Sequence, residues 1–325
     1  MMTDKKVALI TGITGQDGAY LTKLLIEHDY KVIGLIRNSE NINTKGLDYL
    51  GVTSRVVFEV CDLLDIATII HIINKYQPTE IYNLASQSSV GESFNNPIGT
   101  LNFNIISVVN LLESIKITDK RIKFYQASSS EMFGSANSLP FVEQSIFHPV
   151  SPYGISKASA HWITVNYRES FGLFTTSGIL FNHESVLRGD HFIIKKIIRT
   201  ALEIKNGIKE SLEVGNIDIK RDFGYAPKYV EAMYLMMQHE KPDDYIIASG
   251  KSLTIREIIY YIFEKLEISR DKIMVNEDFF RPNEIADIYG NASKAKEQLH
   301  WDYEMNFFEV LDILINEELN IQENK

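Results

Sequence analysis

The chain has 325 residues, a formal net charge of −10 and one cysteine, Cys61. Its length suits two adjoining domains, and 45% hydrophobic with 23% charged residues is typical of a soluble globular protein. The acidic balance argues against nucleic acid and anionic membranes as partners, and one cysteine excludes an intrachain disulfide and a cysteine-rich zinc site. We predict no metal site. Because no continuous apolar stretch reaches the roughly 20 residues of a membrane span, and no signal peptide pattern precedes the first apolar run, we expect a cytoplasmic protein without a membrane partner.

Short apolar runs alternate with helical patterns through the first 182 residues. The predicted strands lie at 7–10, 31–36, 56–60, 80–85, 122–127 and 174–181. The predicted helices lie at 17–27, 65–76, 101–115 and 153–171. Nearly continuous apolar strands between helices are typical of a parallel sheet covered on both faces. The predicted fold class is therefore α/β, with a doubly wound sheet of the Rossmann type.

After residue 182 the alternation becomes less regular. Helical patterns lie at 192–204, 227–238, 255–266 and 307–317, with short strand-like runs at 212–214 and 245–248. We predict a Rossmann domain over 1–182 and a smaller, interleaved α/β substrate domain over 183–325. The run near 245–248 is predicted to return to the first sheet as an additional strand.

A glycine-rich turn follows the first predicted strand. Residues 11–18, Thr-Gly-Ile-Thr-Gly-Gln-Asp-Gly, fit the pattern G-x-x-G-x-x-G between a strand and a helix. Gly12 permits a tight turn, Gly15 allows backbone N–H groups to approach a pyrophosphate, and Gly18 allows helix and strand to pack closely. The positive end of the helix dipole then faces the phosphates. The pattern predicts a dinucleotide-binding turn made of Gly12, Thr14, Gly15, Gln16, Asp17 and Gly18.

The residues after the second and third strands indicate which dinucleotide is bound. Arg37 stands where an acidic residue would accept a hydrogen bond from the ribose 2′-hydroxyl of NAD. A guanidinium there can pair with a 2′-phosphate, so the sequence favours NADP. The alternative is a solvated surface arginine. Asp62, followed by Leu63, is placed to accept a hydrogen bond from the adenine amine, or simply to cap a helix.

Tyr153 and Lys157 form a Tyr-x-x-x-Lys pattern at the start of a predicted helix, so both side chains share one helix face. A free tyrosine has a pKa of about 10 and is a poor base at neutral pH. We expect the lysine ammonium and a positive nicotinamide ring to lower that pKa, so that the pair can remove a hydroxyl proton while hydride leaves the same carbon. A chance surface pair is the alternative, and the glycine turn earlier in the chain favours the catalytic interpretation.

Three serines and a carboxylate, Ser128–Ser130 and Glu131, follow the fifth predicted strand. Residues just beyond the carboxyl ends of parallel strands face the ligand crevice. This run could supply hydroxyl donors near O4 of a sugar and one acid/base group. A turn stabilised by serine side chains is the alternative. The tyrosine helix opens onto the same edge, which favours a catalytic set.

The motifs taken together resemble a known family. The glycine turn, Asn83–Ser88, Ser129–Glu131 and Tyr153–Lys157 are similar to the extended short-chain dehydrogenase/reductase superfamily. Further runs resemble its GDP-mannose 4,6-dehydratase family, and the most specific is residues 180–185, Leu-Phe-Asn-His-Glu-Ser. The similarity extends over nearly the whole chain. Its other runs lie at 165–169, 220–224, 229–233, 281–284 and 292–296.

The resemblance implies an intramolecular redox cycle on a GDP-hexose. Tyr153, helped by Lys157, takes the O4 proton as hydride passes from C4 to NADP⁺, and Ser129 bonds O4. Glu131 then removes the C5 proton and helps to expel the C6 hydroxyl as water, and hydride returns to C6. A simple dehydrogenase needs no carboxylate at position 131, so Glu131 separates elimination from plain oxidation.

The resemblance also implies the remaining contacts. NADP contacts are implied at Arg37, Asp62, Leu63, Leu84, Ala85, Gln87, Ser88, Lys157, His183 and Arg188. Nucleotide-sugar contacts are implied at Ser88, Ser129, Asn182, Lys196, Arg221, Arg281 and Glu284. Guanidinium groups bind phosphate oxygens in a fork, so Arg221 and Arg281 suit a diphosphate. A homodimer or homotetramer is implied as well.

The chain departs from the family pattern near the sugar. Ser86 and Ser89 stand where alanine and histidine are usual, and positions 86–92 line the sugar side of the site in relatives. A related substrate such as GDP-manno-heptose is therefore an alternative to GDP-mannose. A GDP-4-keto-6-deoxy-sugar reductase or a nucleotide-sugar epimerase on the same scaffold is an alternative activity. A non-catalytic nucleotide-binding protein is a third possibility, against which the complete catalytic set argues.

Overall fold

A seven-stranded parallel sheet forms the centre of the computed structural model, which describes residues 5–136, 139–280 and 282–323. Its strands are β1 (Val7–Thr11), β2 (Lys31–Ile36), β3 (Val56–Val60), β4 (Glu80–Asn83), β5 (Lys123–Ser129), β6 (Thr175–Leu180) and β10 (Asp244–Ile247). Their order is β10-β6-β5-β4-β1-β2-β3, and every pairing is parallel. The predicted α/β class with a doubly wound Rossmann-type sheet is confirmed. The predicted run at 245–248 corresponds to β10, which pairs with β6 at the sheet edge.

Helices cover both faces of this sheet. They are α1 (Gln16–Glu27), α2 (Lys45–Tyr49), α3 (Ile66–Tyr76), α4 (Val90–Asn95), α5 (Pro97–Thr118), α6 (Pro152–Phe171), α8 (Ala226–Gln238) and α10 (Ser293–Leu299). Successive strand side chains point to opposite faces, so in β1 Ala8 and Ile10 pack in the core under α1 and α8, whereas Leu9 packs in the core under α3 and α5.

A second region lies beyond the carboxyl edge of the sheet. Its strands are β7 (Asn182–Glu184), β8 (Leu212–Val214), β9 (Lys220–Tyr225), β11 (Ser252–Thr254), β12 (Ile273–Val275) and β13 (Asp287–Ile288). Its helices are α7 (Ile193–Lys205), α9 (Ile255–Lys265) and α11 (Phe307–Glu323). All of these elements except β7 and β13 share one apolar core, and Ile288 of β13 packs in a separate cluster with Phe181. The division at residue 182 stays a prediction, and the chain beyond it also contributes β10, α8 and α10 to the first region.

Helix α5 is the one helix in the described ranges that is long and apolar enough, by length and composition, to cross a membrane. In this fold Leu111 and Ile115 of α5 are buried in the core that α3 and α6 share. Its amides also find partners inside the protein, since Asn104 Nδ2 donates to Ser156 Oγ at 2.9 Å and Asn110 Nδ2 donates to the Leu63 carbonyl at 3.0 Å. These are the features of a core helix.

Candidate functional site

A cleft of about 650 Å³ opens between the carboxyl edge of the central sheet and the second region. Residues that follow β1, β4, β5 and β6 converge there, because the carboxyl ends of parallel strands share one edge. Eighteen of the residues predicted from the sequence line it: Gly12, Thr14, Gly15, Gln16, Asp17, Gly18, Leu84, Ser88, Ser129, Glu131, Tyr153, Lys157, Asn182, His183, Arg188, Lys196, Arg221 and Glu284.

The glycine turn has no room for a side chain at Gly12 or at Gly18. Gly12 adopts a φ of +69°, and a Cβ there would lie 2.8 Å from the Ala85 nitrogen. A Cβ on Gly18 would lie 2.4 Å from the Gly12 carbonyl oxygen. Gly15 is the N-cap of α1 and supplies no capping side chain, so the first N–H groups of the helix remain available to an anion. These features fit the pyrophosphate of a dinucleotide.

A buried polar network joins the strand ends beneath the turn. Thr11 Oγ1 donates to Asn83 Oδ1 at 2.7 Å, and Asn83 Nδ2 donates to Gln126 Oε1 at 2.9 Å. The Thr11 hydroxyl also accepts from the backbone nitrogens of Leu84 and Ala85. β1, β4 and β5 are thereby held together where the cleft begins. We did not single out Thr11 or Gln126 from the sequence, although each is a polar residue at or near the carboxyl end of an apolar strand.

The first turn of α6 places Tyr153 beside Glu131. Ser151 caps this helix, its hydroxyl accepting from the Gly154 nitrogen at 3.0 Å. Gly154 lets the helix approach the 3-10 turn at Ser130–Met132, because a Cβ there would lie 2.7 Å from the Glu131 carbonyl oxygen. The capped helix start and this close approach therefore hold Tyr153 and Glu131 in the same part of the cleft.

The pKa of Tyr153 is raised, whereas the sequence analysis predicts that it is lowered. Burial raises the pKa of Tyr153 to about 12; contact with the Ser129 hydroxyl and the charge of Arg188 oppose this rise, and the charge of Glu131 adds to it. Burial lowers the pKa of Lys157 to about 8. Lys157 Nζ donates to the Ala127 carbonyl at 2.9 Å and lies 5.7 Å from the centre of the Tyr153 ring. The predicted lowering of the tyrosine pKa is therefore absent from the protein alone, because burial outweighs the neighbouring charges.

Asp17 and His183 form a hydrogen-bonded pair on the wall of the cleft. His183 Nε2 lies 2.9 Å from Asp17 Oδ2, and His183 Nδ1 lies 2.7 Å from the Phe181 carbonyl oxygen. Burial acts to raise the pKa of Asp17, but the interactions with His183, Arg188 and Gln16 together outweigh it, so that this pKa is lowered. The pair connects α1 to the segment that leaves β6.

Arg188 extends this wall toward the second region. Its Nε lies 3.6 Å from Glu184 Oε1, and its guanidinium carbon lies 3.7 Å from the centre of the Phe192 ring. Burial raises the pKa of Glu184, although the charge of Arg188 opposes that rise. An arginine flanked by a ring and a carboxylate is well placed to bind a phosphate oxygen from the open side.

The predicted nucleotide-sugar residues lie at the far end of the cleft. Asn182 Nδ2 donates to the Asp222 carbonyl at 3.3 Å, and Lys196 Nζ donates to the Glu213 carbonyl at 2.8 Å. Arg221 is buried, and its Nη1 donates to the Ile285 carbonyl at 2.7 Å. Arg281, predicted to bind the diphosphate, lies outside the described residues.

Five predicted cofactor residues do not line the cleft: Arg37, Asp62, Leu63, Ala85 and Gln87. Arg37 is exposed directly after β2. Asp62 Oδ1 accepts from the Leu64 nitrogen at 2.9 Å in a tight turn, and Asp65 caps α3 in its place. Leu63 is buried in the core below α3, and the Gln87 amide donates to the Ser89 carbonyl.

Several residues of the cleft wall were not predicted. They are Asn43, His191, Phe192, Ile193, Val214–Ile217, Ile219, Phe223, Ile255 and Phe279, whereas Ser86, Ser89, Val90 and Gly91 belong to positions 86–92, which the resemblance implied for the sugar side. Most belong to connections without a sequence motif, so only the fold brings them together. Phe279 is the clearest case: it is half exposed, and its ring centre lies 5.2 Å from Lys196 Nζ.

Comparisons with known proteins agree on one family. The family model described as GDP-mannose 4,6 dehydratase matches residues 9–314. GDP-mannose 4,6 dehydratase 1 of Arabidopsis thaliana is 43% identical over 328 residues, which cover 98% of this chain and 91% of the plant protein. The human GDP-mannose 4,6 dehydratase is 38% identical, over 98% of this chain and 92% of the human protein.

Solved structures share the fold. A UDP-glucose 4-epimerase of Thermotoga maritima, solved with UDP-glucose, superposes with a TM-score of 0.87 at 23% identity, covering 97% of this chain and 99% of its own. A dTDP-glucose 4,6-dehydratase of Bacillus anthracis, solved with NAD, has a TM-score of 0.84 at 22% identity, covering 96% of both chains. With a family model and full-length relatives in agreement over almost every residue, this chain belongs to the GDP-mannose 4,6-dehydratase family.

Proposed function

We propose that this protein is a GDP-sugar 4,6-dehydratase that converts GDP-mannose to GDP-4-keto-6-deoxymannose. The observation that carries the proposal is the position of Glu131 beside Tyr153 in one cleft with Lys157. Relatives that bear the dehydratase name align over nearly the whole chain and support it. A carboxylate beside the tyrosine is what water elimination needs and simple oxidation does not.

Each residue has a separate task in this proposal. The bound dinucleotide supplies the hydride acceptor and returns the same hydride at the end of the cycle. The Tyr153 phenolate takes the proton from O4, and the Ser129 hydroxyl holds that oxygen. The Glu131 carboxylate takes the proton from C5, which the neighbouring 4-keto group acidifies, and then gives it to the departing C6 hydroxyl. The proton that Tyr153 took from O4 balances the one that C5 must regain when hydride returns to C6. Lys157 donates a hydrogen bond to the Ala127 carbonyl and places its positive charge near the phenol.

NADP is the dinucleotide that we propose. The support is Arg37, which is exposed directly after β2 and can pair with a 2′-phosphate. The strand ends in the sequence Leu-Ile-Arg, so no acidic residue stands where NAD would need one. We expect the wild-type protein to bind NADPH more tightly than NADH in a fluorescence titration. The Arg37→Ala variant should lose most of that preference, by about tenfold, because one charge-assisted phosphate contact is removed. Equal affinities in the wild-type protein would contradict the choice of NADP.

The activity test uses purified protein, GDP-mannose and NADP⁺ well below the concentration of the sugar. We expect a new C6 methyl signal in the proton NMR spectrum, with many turnovers per cofactor, because the hydride returns to the product. A reductase would instead consume NADPH in proportion to product, and an epimerase would give no methyl signal. Failure to form a deoxygenated C6, as a methyl or a methylene group, with any GDP-sugar would overturn the proposal.

GDP-manno-heptose is a second candidate substrate. Small side chains line the sugar side of the cleft, at Ser86, Ser88, Ser89 and Gly91. They leave room for an additional hydroxymethyl group on C6 and offer hydroxyls to bind it. In the same experiment a heptose would give a C6 methylene signal rather than a methyl signal. The ratio of kcat/KM for the two sugars therefore decides between them.

We also propose a homodimer or homotetramer. Apolar side chains are exposed on two helices that pack against one another, Ile106 on α5 and Trp162 on α6, the latter 59% exposed. Exposed apolar side chains on adjoining helices are typical of a contact with a second chain. A cytoplasmic location stays a prediction, which fractionation of the source cells would test.

A further inference from the structure

The two ring nitrogens of His183 both face hydrogen-bond acceptors. Nδ1 lies 2.7 Å from the Phe181 carbonyl oxygen, and Nε2 lies 3.0 Å and 2.9 Å from the two carboxylate oxygens of Asp17. A carbonyl oxygen and an ionised carboxylate can only accept, and a neutral imidazole has only one N–H. Two hydrogen bonds of this kind therefore require a hydrogen on each nitrogen, which is the imidazolium form.

The surroundings fix this ring in place. Gln16 Nε2 donates to the His183 carbonyl and to Asp17 Oδ1, both at 3.1 Å. Ser185 Oγ in turn donates to Gln16 Oε1 at 2.8 Å. The imidazole stacks on the Tyr229 ring with 4.7 Å between centres. Two residues of α1 are thus bonded to the segment that follows β6.

The pair of Asp17 and His183 lies where the phosphates of a dinucleotide would bind. Asp17 lies in the first turn of α1, inside the turn that would receive a pyrophosphate. An unpaired carboxylate there would repel phosphates, and burial would add to its cost. An imidazolium cancels that charge and leaves the positive end of the α1 dipole to act on the ligand.

Other ionisable groups surround the pair. On its own segment Glu184 and Arg188 face each other at 3.6 Å, and the charge of Arg188 also acts on Asp17. The groups of α6, Tyr153 and Lys157, and Tyr229 of α8 complete the surroundings. Asp17 is thus the one carboxylate that contacts the imidazole within the described residues.

We propose that His183 is held as an imidazolium and acts as a positioning residue: it neutralises Asp17 and ties residues 181–185 to the phosphate-binding turn. Its ring nitrogens are both used inside the protein, so its side chain makes no direct hydrogen bond to the dinucleotide. Only the identity of that dinucleotide rests on the function proposed above.

The first test measures the proton directly. In protein labelled with ¹⁵N-histidine, we expect one of the eight histidines to carry a hydrogen on both ring nitrogens. Its signals should vanish in His183→Gln and change to those of a ring with one N–H in Asp17→Asn. If every histidine of the wild-type protein carries a hydrogen on only one ring nitrogen, the proposal is wrong, whether or not the variants fold.

The second test separates positioning from direct contact, with NADPH as the probe. His183→Gln removes the one cation that contacts the Asp17 carboxylate directly, so NADPH binding should weaken by about tenfold or more. Replacing Asp17 by Asn in the same protein removes the repulsion and should restore most of that loss. The exposed His71→Gln serves as the matched control and should bind as the wild type does.

A double variant as weak as His183→Gln would show that the histidine contacts the cofactor itself, and would overturn the proposal. Both tests use cofactor binding or the protein alone. A failure of the dehydratase assay would therefore contradict the proposed reaction while leaving the state of His183 measurable.

Discussion

At the scale of single residues, the cleft sets a carboxylate beside a phenol whose pKa burial has raised. Glu131 and Tyr153 have different tasks in the proposed reaction, so their removal should have different results. A variant that loses the carboxylate keeps the phenol, its lysine and the dinucleotide turn.

Glu131→Gln should therefore lower formation of the 6-deoxy product by about 100-fold or more, because the amide cannot take the C5 proton. Oxidation at C4 should continue, so the absorbance of reduced dinucleotide should appear in a single turnover with excess enzyme. Glu210→Gln, an exposed change between α7 and β8 and outside the cleft, is the control. Undiminished product formation by Glu131→Gln would show that another group removes the C5 proton.

The buried ammonium of Lys157 is costly to the fold. Burial lowers its pKa to about 8 from an ordinary 10.5, so the unfolded chain binds this proton more tightly than the folded one. The free energy of unfolding attributable to this group is therefore lowest below pH 8 and rises as the pH increases from 8 toward 10.5.

Lys157→Met should accordingly abolish turnover and yet raise the free energy of unfolding at neutral pH, on the order of 1–2 kcal/mol after the lost bond to the Ala127 carbonyl is subtracted. Urea denaturation at several pH values measures this. The gain should shrink as the pH passes from 8 to 10.5. A variant less stable than the wild type across that range would mean that the ammonium stabilises the fold.

At the scale of elements, the start of α6 matters for chemistry as well as for stability. Ser151→Ala removes the hydrogen bond to the Gly154 nitrogen and should cost about 1 kcal/mol. Because Tyr153 lies in the first helical turn, kcat should fall as well. Thr254→Ala is the matched control: it removes the cap of α9, with a similar loss of stability and no change in kcat. If Ser151→Ala and Thr254→Ala changed kcat equally, the start of α6 would have no special role in positioning Tyr153.

The elements also show what the sequence could reveal. All seven strands of the central sheet were predicted within two residues at each end. β1, β2, β3 and β10 are rich in apolar and β-branched residues, and the alternation with helices locates the more polar β4, β5 and β6. β7, β9, β11, β12 and β13 were not. Four of these strands have only two or three residues and β9 begins with Lys220, Arg221 and Asp222, so their pairing partners rather than their composition define them.

The residues of the site also divide into those that the sequence predicts and those that it does not. Gly12–Gly18 and Tyr153–Lys157 have spacings dictated by chemistry and could be read directly from the chain. Phe192 and Phe279 could not, because they come from separate connections that only the tertiary fold brings to the cleft. The raised pKa of Tyr153 could not be predicted from the sequence either, because it results from burial, which depends on packing.

At the scale of the whole molecule, the exposed apolar residues of α5 and α6 lie on the outside of the central sheet. Trp162→Glu should place a charge in the proposed contact between chains and shift the protein toward monomers in light scattering after size-exclusion chromatography. Ile208→Glu, at a residue 71% exposed in the second region, is the control and should leave the mass unchanged. A wild-type protein that elutes as a monomer would contradict the proposed oligomer.

The late position of β10 and α8 in the chain has a consequence for biosynthesis. Until about residue 247 has left the ribosome, β6 has no neighbour on its outer side, and the apolar surface that Met233, Met236 and Met237 later cover is open to water. A nascent chain ending near residue 182 would therefore carry an unpaired sheet edge beside an uncovered apolar face, the combination that invites aggregation. Expression of the first half alone should require chaperones, whereas the complete chain encloses the same surface by itself.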